Sequence, residues 1–516
     1  MKLFFIYINP TGRTAIPPNV STLIGHLKSR RTYSIKLFDT TFYKFDLGKP
    51  KIKEAWTTGY FLPAKNPPNK PKLKNTLYDD INSSIERYKP ELIAVSCYSN
   101  QYALVQRILI NIKKFFPQIP NIVGGCHPSF CPDEVISDPF VDMICVGEGE
   151  EALVEICDRI NNNEDLTTIQ NIWLKKENQI IKNPVREPMD LNQIGLPDWS
   201  IFDDIHLYQP FHGNHYRVGM IEYGRGCPNR CSYCANSSYL NLYSEHLSSY
   251  IRHPAPALFI DKLKKLKHQY NLELIYFQDA TFLTMNVENL EKLTTLYEND
   301  INLPCILLST APSINDHRIK CLKRMNCISV NMGIEQGNPD FRKKHLNRKM
   351  SNNQIVNSFN LLKSNGIATA AYNVIGFPYE TREDIFKTIE LNRQCLPDSI
   401  YAQIFYPIKG CDLYKKCIEN NFFCQSNESL HSQICSIGKV SLLENCLLNR
   451  DEIHGLLKTF LLYVKLPKIF FPLIRLLEND TELSHFIVKI LTDLYWSLEP
   501  KFQIRSKGTN ENNSLQ

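Results

Sequence analysis

The sequence predicts an α/β protein with a doubly wound parallel sheet, a partial barrel and a helical C-terminal region. Short apolar runs alternate with amphipathic helical patterns, first along residues 1–183 and again along residues 213–425. Strands separated by helices favour parallel sheets. From about residue 425 the pattern changes to apolar helices. A chain of 516 residues is also too long for one hydrophobic core, so two or three domains are expected.

The first domain, residues 1–183, is predicted to be Rossmann-like. Its strand-like runs are residues 2–9, 34–39, 91–96, 121–124 and 141–146. Its helix-like patterns are residues 19–31, 77–88, 102–116 and 150–162. A hairpin-like stretch at residues 171–182 closes the domain, and the Lys- and Pro-rich residues 41–75 indicate an inserted loop.

Turn signals follow three of these strands. Ligands of a doubly wound sheet lie at the carboxyl ends of its strands, and glycine there lets backbone approach a ligand closely. The candidate binding residues are Ser96, Tyr98, Gly124, Gly125, His127, Gly147, Glu148 and Gly149. We interpret the carboxylates of Asp142, Glu148 and Glu150 as solvated turn residues rather than an acid–base group.

The barrel is predicted over residues 213–425, after a linker at residues 184–212. Six strand-like runs, at residues 217–223, 272–279, 305–310, 328–334, 368–375 and 400–406, alternate with five helical patterns. Those helical patterns are residues 258–270, 287–298, 316–325, 353–364 and 383–393. This alternation suits a TIM-like (β/α)6 partial barrel with its site at the C-terminal strand ends. Residues 426–516 are predicted to be helical and to end in a disordered polar tail at residues 506–516.

Three thiols, Cys227, Cys231 and Cys234, lie in the loop after the first barrel strand, with C-x-x-x-C-x-x-C spacing. Three cysteines can hold three irons of a cubane cluster and leave the fourth iron open for chemistry. A zinc knuckle or a chance cluster of buried thiols is the alternative. A zinc site would need a fourth Cys or His at matching spacing, and none follows within the next ten residues. Cys411 and Cys417, without close partners, are interpreted as ordinary buried thiols.

Bulk properties limit the partners and the compartment. A net charge of +6 over 516 residues does not indicate a nucleic-acid partner. Seventeen cysteines without framework spacing favour a reducing compartment, which we predict to be the cytoplasm. No uncharged apolar stretch is long enough to span a bilayer, and the N-terminus lacks a signal-peptide pattern. The basic and aromatic residues 456–477 could contact a membrane surface, although helix packing is favoured.

The cysteine loop, with Tyr233 directly before its third cysteine, resembles the signature of the radical S-adenosylmethionine (SAM) superfamily. Segments 333–337, 346–348 and 373–381 resemble the family's later strand ends, whereas at residues 277–282 Asp279 is the one acid where the family usually has two. The resemblance implies a [4Fe–4S] cluster on the three cysteines and S-adenosylmethionine bound at the open iron. The side chains and glycines that it implies for S-adenosylmethionine are Tyr233, Glu335, Gly337, Arg348 and Gly376.

The first domain resembles the cobalamin-binding domain that precedes many radical SAM cores. It lacks the D-x-H-x-x-G motif whose histidine ligates cobalt in mutases, so His127 is either a lower ligand or a structural turn residue. The resemblance implies a cobalamin-dependent enzyme that methylates an unactivated carbon of a small molecule and takes electrons from an external flavodoxin- or ferredoxin-type reductant. The alternatives are a radical oxidative cyclase, like the anaerobic magnesium-protoporphyrin cyclase, and a non-catalytic cobalamin or cluster sensor.

Overall fold

A computed structural model describes residues 1–45, 59–60, 68, 71–211, 213–423, 440–444 and 446–498. The predicted disordered tail at residues 506–516 lies outside the described residues. Most of the predicted inserted loop lies outside them too, namely residues 46–58, 61–67 and 69–70.

The first sheet has seven strands in the order β2-β1-β4-β5-β6-β7-β8. Strands β1, β2, β4, β5 and β6 pair in parallel, and the predicted hairpin, β7–β8, adds two antiparallel strands beside β6. The strands of this half of the chain are β1 Lys2–Tyr7, β2 Ser34–Asp39, β3 Gly59–Tyr60, β4 Leu92–Ser96, β5 Asn121–Gly124, β6 Met143–Cys145, β7 Ile172–Lys176 and β8 Gln179–Lys182. The helices are α1 Pro18–Arg30, α2 Leu77–Tyr88, α3 Tyr102–Phe115, α4 Cys126–Phe130, α5 Pro132–Ser137 and α6 Glu150–Asn162.

Strand β1 shows why this sheet is covered on both faces. Its side chains alternate between two cores: Leu3 and Phe5 pack in the core that contains residues of α1 and α6, whereas Phe4 and Ile6 pack in the core that contains residues of α2 and α3. All four are at most 2% exposed. A continuous apolar strand is what a parallel sheet between two helical layers requires.

The second sheet has eight strands in the order β3-β15-β14-β13-β12-β11-β10-β9. Its six central strands, β10 to β15, are parallel and form the predicted partial barrel. The strands are β9 Tyr208–Phe211, β10 Asn214–Ile221, β11 Leu274–Phe277, β12 Cys305–Ser309, β13 Cys327–Glu335, β14 Ala368–Ile375 and β15 Ser399–Ile404. The helices are α7 Ala235–Leu242, α8 Leu247–Tyr250, α9 Pro256–Tyr270, α10 Val287–Leu296, α11 Asp316–Arg324, α12 Pro339–His345, α13 Asn352–Ser364, α14 Arg382–Cys395 and α15 Asp412–Glu419.

Both edges of the barrel sheet carry a strand that the sequence analysis did not predict. Strand β9 lies within the predicted linker and pairs antiparallel with β10. Strand β3 belongs to the predicted insertion of the first domain, yet it pairs antiparallel with β15. Neither strand has a strong periodic pattern, because each is short and its pairing partner is set by the tertiary fold.

Three helices follow the barrel: α16 Arg450–Lys465, α17 Phe471–Leu476 and α18 Glu482–Leu498. The core beneath them joins Ile375, Ile400 and Ile404 of the last two barrel strands to Leu456 and Phe460 of α16. Among the described helices, none has the length and apolarity required to span a membrane. The predicted fold class is confirmed.

Candidate active site between the two sheets

The carboxyl ends of the two parallel sheets line one cleft. The cleft has a cavity volume of about 330 Å³ and opens to solvent, which is at the lower end of the ~300–1,000 Å³ of common small-molecule pockets. Seven of the eight predicted first-domain residues line it: Ser96, Tyr98, Gly124, Gly125, Gly147, Glu148 and Gly149. The barrel contributes the end of β10, the start of the cysteine loop and residues of the segment 236–252. The two domains therefore form this cleft jointly.

Backbone forms much of the first-domain wall. Gly125 has a φ of +100°, and a Cβ there would lie 2.7 Å from the carbonyl oxygen of Cys97. The turns after β4 and β5 are joined by the backbone N–H of Cys97, which donates to the carbonyl of Gly124 at 2.9 Å. A side chain at residue 125 would therefore strain the turn and also collide with its neighbour.

His127 is the predicted first-domain residue that does not line the cleft in the described structure. Its side chain is fully buried, its Nδ1 lies 3.2 Å from the hydroxyl of Ser99, and its ring centroid lies 4.5 Å from that of Tyr102. Burial lowers the pKa of His127 to about 4, with Glu134 acting in the opposite direction. Of the two roles considered for it, the geometry supports the structural one.

The start of the cysteine loop is hydrogen-bonded to a buried carboxylate. Asp279, which is 2% exposed, accepts hydrogen bonds from the backbone N–H groups of Tyr223 at 3.0 Å and Gly224 at 2.6 Å. Burial raises the pKa of Asp279 to about 7. On the other side, Arg225 and Arg252 exchange backbone hydrogen bonds of 3.0 Å. The acid that remains from the family's usual pair therefore holds the loop onto the barrel.

Each of the three predicted cluster thiols has a nitrogen donor. Cys227 accepts from Asn229 at 3.6 Å, Cys231 from Arg348 at 3.6 Å and Cys234 from Asn236 at 3.7 Å. Such N–H···S contacts stabilise negative charge on sulfur and tune iron–sulfur centres.

The spacing of the thiols argues against a single ion. Around one tetrahedral zinc, sulfurs lie about 3.8 Å apart, given Zn–S bonds of about 2.3 Å. Among the described residues, the one group of three donor side chains that converges within 4.8 Å is Glu291, His317 and Cys321 on the outer helices, not the cysteine loop. The three thiols therefore do not converge as closely as one tetrahedral zinc would require. Cys411 and Cys417 are free and buried, as predicted.

Three of the residues predicted to bind S-adenosylmethionine meet beside Cys231. Arg348, 7% exposed, donates through Nη2 to the carbonyl of Gly333 at 2.8 Å and through Nη1 to the hydroxyl of Tyr233 at 3.4 Å. Its Nε is buried without a partner in the part of the chain that the structure describes. Burial raises the pKa of Glu335, and the nearby Arg348 opposes that rise. An unpaired guanidinium N–H beside the cysteines suits a ligand carboxylate.

Gly337 and Gly376 shape the strand ends instead of presenting groups to the cysteine loop. The N–H of Gly337 donates to the Thr388 hydroxyl at 2.8 Å, and a Cβ there would collide with the carbonyl of Lys387 on α14. Gly376 has a φ of +77° and donates its N–H to Glu380 at 2.5 Å. The N–H groups of both glycines therefore already have internal partners, and the assignment of these glycines to S-adenosylmethionine stays a prediction.

The interpretation of Glu148 and Glu150 as solvated carboxylates was wrong, whereas Asp142, with a side chain 37% exposed, is solvated as expected. Glu150 is 5% exposed, and its Oε1 lies 2.6 Å from Nη2 of Arg225 in the cysteine loop. Glu148 lies 3.3 Å from Arg225 and also pairs with Arg252. Asp142 pairs with Lys113 at 2.6 Å.

This ion network joins the domains across a gap of about 75 positions in the chain, as between Glu150 and Arg225. Burial by itself would raise the pKa of Glu150, but Arg225 lowers it overall. No local pattern could have indicated the pairing. An arginine between two glycines of the cysteine loop was the only available signal, and it does not identify a partner.

Comparisons with known proteins agree with both halves of this architecture. The model of the radical SAM superfamily matches residues 221–391, and the model of the B12 binding domain matches residues 61–157. The chain is 21% identical over 416 residues to the uncharacterized methyltransferase PH0819 of Pyrococcus horikoshii, covering 80% of this chain and 85% of the relative. It is 23% identical over 347 residues to the anaerobic magnesium-protoporphyrin IX monomethyl ester cyclase of Rubrivivax gelatinosus, covering 66% of this chain and 60% of the relative.

The fold is also that of a solved cobalamin-dependent enzyme. The S-adenosylmethionine radical enzyme OxsB, solved with aqua-cobalamin and S-adenosylmethionine, superposes with a TM-score of 0.65 at 13% identity over 96% of this chain and 71% of that one. At this identity the likeness shows the fold alone. The chain thus contains a radical SAM domain, which implies a [4Fe–4S] cluster and S-adenosylmethionine, and a B12-binding domain, which implies cobalamin.

Proposed function

We propose that this protein is a cobalamin-dependent radical SAM methyltransferase that methylates an unactivated carbon of a small molecule. The observation that carries the proposal is the cleft between the carboxyl ends of the two sheets, with the strand-end turns on one wall and Gly224–Gly226, the start of the cysteine loop, on the other. A methyl group delivered from one domain to a radical formed at the other needs this face-to-face arrangement. The methyltransferase name of the Pyrococcus relative supports the same reaction class.

The barrel wall is proposed to bind the cluster and S-adenosylmethionine. When bound there, this pair supplies a 5′-deoxyadenosyl radical that abstracts hydrogen from substrate. Cys227, Cys231 and Cys234 are the proposed cluster ligands. The free Nε of Arg348 is the proposed donor to the methionyl carboxylate, and Tyr233, which contacts Phe377 edge-on at 5.5 Å, is proposed to pack near the adenine.

Glu335 is proposed to receive the amine or ribose hydroxyls of S-adenosylmethionine. It lies at the end of β13 with a φ of +65°, a backbone conformation that a non-glycine residue rarely adopts. Strain of this kind concentrates at functional sites. Its nearness to Arg348 gives the site one cationic and one anionic group, which matches the two charges of an amino-acid end.

Cobalamin is proposed to lie against the first-domain wall, over the turns that contain Ser96, Tyr98, Gly124–Gly125 and Gly147–Gly149. These turns offer little side-chain volume, apart from Tyr98 and Glu148, and line a cleft that opens to solvent. Because His127 does not face the cleft, no histidine ligand to cobalt is proposed.

The substrate is proposed to enter the barrel interior below the cysteine loop. There, Asn331 donates to the hydroxyls of Tyr276 at 3.0 Å and Tyr372 at 3.2 Å. The ring of Tyr372 lies 4.9 Å from that of Tyr401 on the next strand. This polar aromatic layer was missed by the sequence analysis, because its members come from four strands. It favours a small substrate recognised by stacking and neutral hydrogen bonds.

The test uses anaerobically reconstituted protein with cobalamin, dithionite and S-adenosylmethionine labelled as CD3. Formation of 5′-deoxyadenosine together with label in the cobalamin fraction, detected by mass spectrometry, is the expected result. Cleavage of S-adenosylmethionine without label transfer would favour the oxidative cyclase, which the Rubrivivax relative represents. Binding of cofactors without any cleavage would favour a sensor.

The proposed setting is the reducing cytoplasm, with an external flavodoxin- or ferredoxin-type protein as reductant. All the cysteines of the described residues are free thiols, which suits that compartment. Fractionation of the native host, with the protein detected by antibody, tests the location.

A further inference from the structure

A cluster of unpaired cations surrounds the outer side of the cysteine loop. Its members are exposed and have no acidic partner among the described residues. They come from the loop itself, from α12 and the segment after it, and from α15: Arg230, Lys343, Lys344, Lys349, Lys415 and Lys416. The same elements carry three exposed acids, Asp340, Asp412 and Glu419. With six cations and three acids, this basic patch has a much higher density of net positive charge than the whole chain, which carries a net +6 over 516 residues.

The basic patch is continuous in space. The side chain of Asn347 donates to the carbonyl of Arg230 at 2.8 Å, which fixes the loop to the segment after α12. His345 connects α12 to α15: besides burial, both Lys344 and Lys416 lower its pKa, so these two cations lie close to the same ring. Charges brought together from three elements create a field that no single element would produce.

One layer of backbone separates the basic patch from the proposed cluster ligands. Ser232 directly follows Cys231, and its N–H donates to the carbonyl of Leu346 at 3.1 Å. Its carbonyl accepts from the N–H of Leu413 at 2.8 Å, at the start of α15. A protein seated on the patch would therefore place its own redox group on the far side of this layer from the cysteines.

We propose that the basic patch is the docking surface for an acidic one-electron carrier protein. The inference rests on the proposed function, because a reductant is needed only by a redox-active cluster. A flavin hydroquinone in the carrier would give up one electron and become the semiquinone, its proton passing to solvent, and the oxidised cluster would gain that electron. Transient redox complexes use small, charged interfaces, and complementary charge mainly accelerates association.

The test compares two triple charge reversals in the holoenzyme. The patch variant is Lys343→Glu, Lys344→Glu, Lys416→Glu, and the control variant is Lys114→Glu, Lys265→Glu, Lys363→Glu, which changes the charge equally at exposed lysines elsewhere. An acidic flavodoxin hydroquinone is the probe. In the experimental design, anaerobic calorimetry at 50 and 300 mM salt measures the affinity of flavodoxin for each protein. Stopped-flow absorbance measures the rate of cluster reduction.

We expect the patch variant to bind flavodoxin at least about 10-fold more weakly than the wild type. It should also accept the electron at least about 10-fold more slowly. The control variant should match the wild-type protein, whose affinity should fall with salt. With dithionite, which needs no docking surface, 5′-deoxyadenosine formation should be equal in all three proteins. Equal flavodoxin binding in the patch and control variants would overturn the proposal, as would patch-dependent binding to RNA or to phosphatidylglycerol vesicles with flavodoxin unaffected. Absence of dithionite-driven cleavage in the wild type would instead reject the proposed function.

Discussion

The two sides of the cleft differ in whether side chains or backbone groups form the site. The barrel side carries side chains of marked chemistry, namely three thiols, Tyr233, Glu335 and Arg348, behind the residues Glu222 and Gly224–Gly226 that line the cleft itself. The first-domain wall presents mainly backbone, with glycines at two turns and no space for a Cβ at residue 125 beside the carbonyl of Cys97. Chemistry carried by side chains depends on residue identity, whereas a site made of backbone depends on conformation and space. The two walls should therefore respond to substitution in different ways.

The largest expected effect is on the barrel wall. Replacing Cys227, Cys231 and Cys234 by alanine should abolish cluster binding, because no other described thiols are placed to replace them in that loop. Iron content and the visible absorbance of anaerobically reconstituted protein measure it. Cys157→Ala, a buried thiol of α6, is the control and should keep its iron. Iron retained by the triple variant would contradict the assignment.

The ion network between the walls comes next. Glu150→Gln leaves the partly buried Arg225 with only its longer contacts to Glu148 and Glu222 and should destabilise the protein by about 1.5–3 kcal/mol, the cost of losing one hydrogen bond to a charged group. The exposed pair Glu288–Lys292 offers the control, since Glu288→Gln should leave the stability nearly unchanged. Denaturation midpoints measure both. Equal shifts would mean that the network does not hold the domains together.

Removal of a single charged donor should have an intermediate effect. Arg348→Gln should weaken S-adenosylmethionine binding by about 1.5–3 kcal/mol, or roughly 10- to 150-fold, because one charge-assisted bond is lost. Iron content should be unchanged. Equilibrium dialysis measures affinity, with the outer-helix variant Arg324→Gln as the control. Normal affinity in Arg348→Gln would place the pocket elsewhere.

On the first-domain wall, backbone conformation should matter more than residue type. Gly125→Val adds a side chain at a φ of +100° and against a carbonyl oxygen, at a cost of about 1–3 kcal/mol. Titration with hydroxocobalamin should show weaker binding. Gly149→Ala is the matched control, since its Cβ would meet only side-chain atoms, the nearest at 3.4 Å. Similar affinities for both variants would contradict the backbone account of this wall.

The smallest expected effect on cofactor binding is that of His127→Asn. Because His127 faces away from the cleft, the absorbance spectrum of bound cobalamin should not change. A shift in that spectrum would instead identify His127 as a cobalt ligand.

Protonation of His127 should nevertheless change the stability of the folded protein with pH. Its pKa in the folded protein is about 4, below the ordinary value of 6.5, with Glu134 and Lys409 as the charged neighbours. Folding therefore favours the neutral ring, and this contribution is present above pH 6.5 and is lost as the pH falls toward 4. Melting temperatures of the wild type should drop over that window more than those of His127→Asn.

The sequence determined the elements of this protein and the identity of its thiol site. Every strand and helix predicted for residues 1–425 occurs within a few positions of its expected bounds, because apolar periodicity reports directly which faces are buried. The cysteine spacing is likewise local, since the three thiols lie within eight residues.

Only the tertiary structure decided which groups meet. It turned Glu148 and Glu150 from expected surface residues into partners of Arg225, placed His127 behind the cleft, and assigned the N–H groups of Gly337 and Gly376 to internal contacts. Long-range packing also pairs β3 with β15 and brings lysines of α12 and α15 around the cysteine loop, although these segments lie far apart in the chain. Local patterns record whether a residue is buried, but the partner of a buried charge or backbone group depends on long-range packing, which no single stretch of sequence contains.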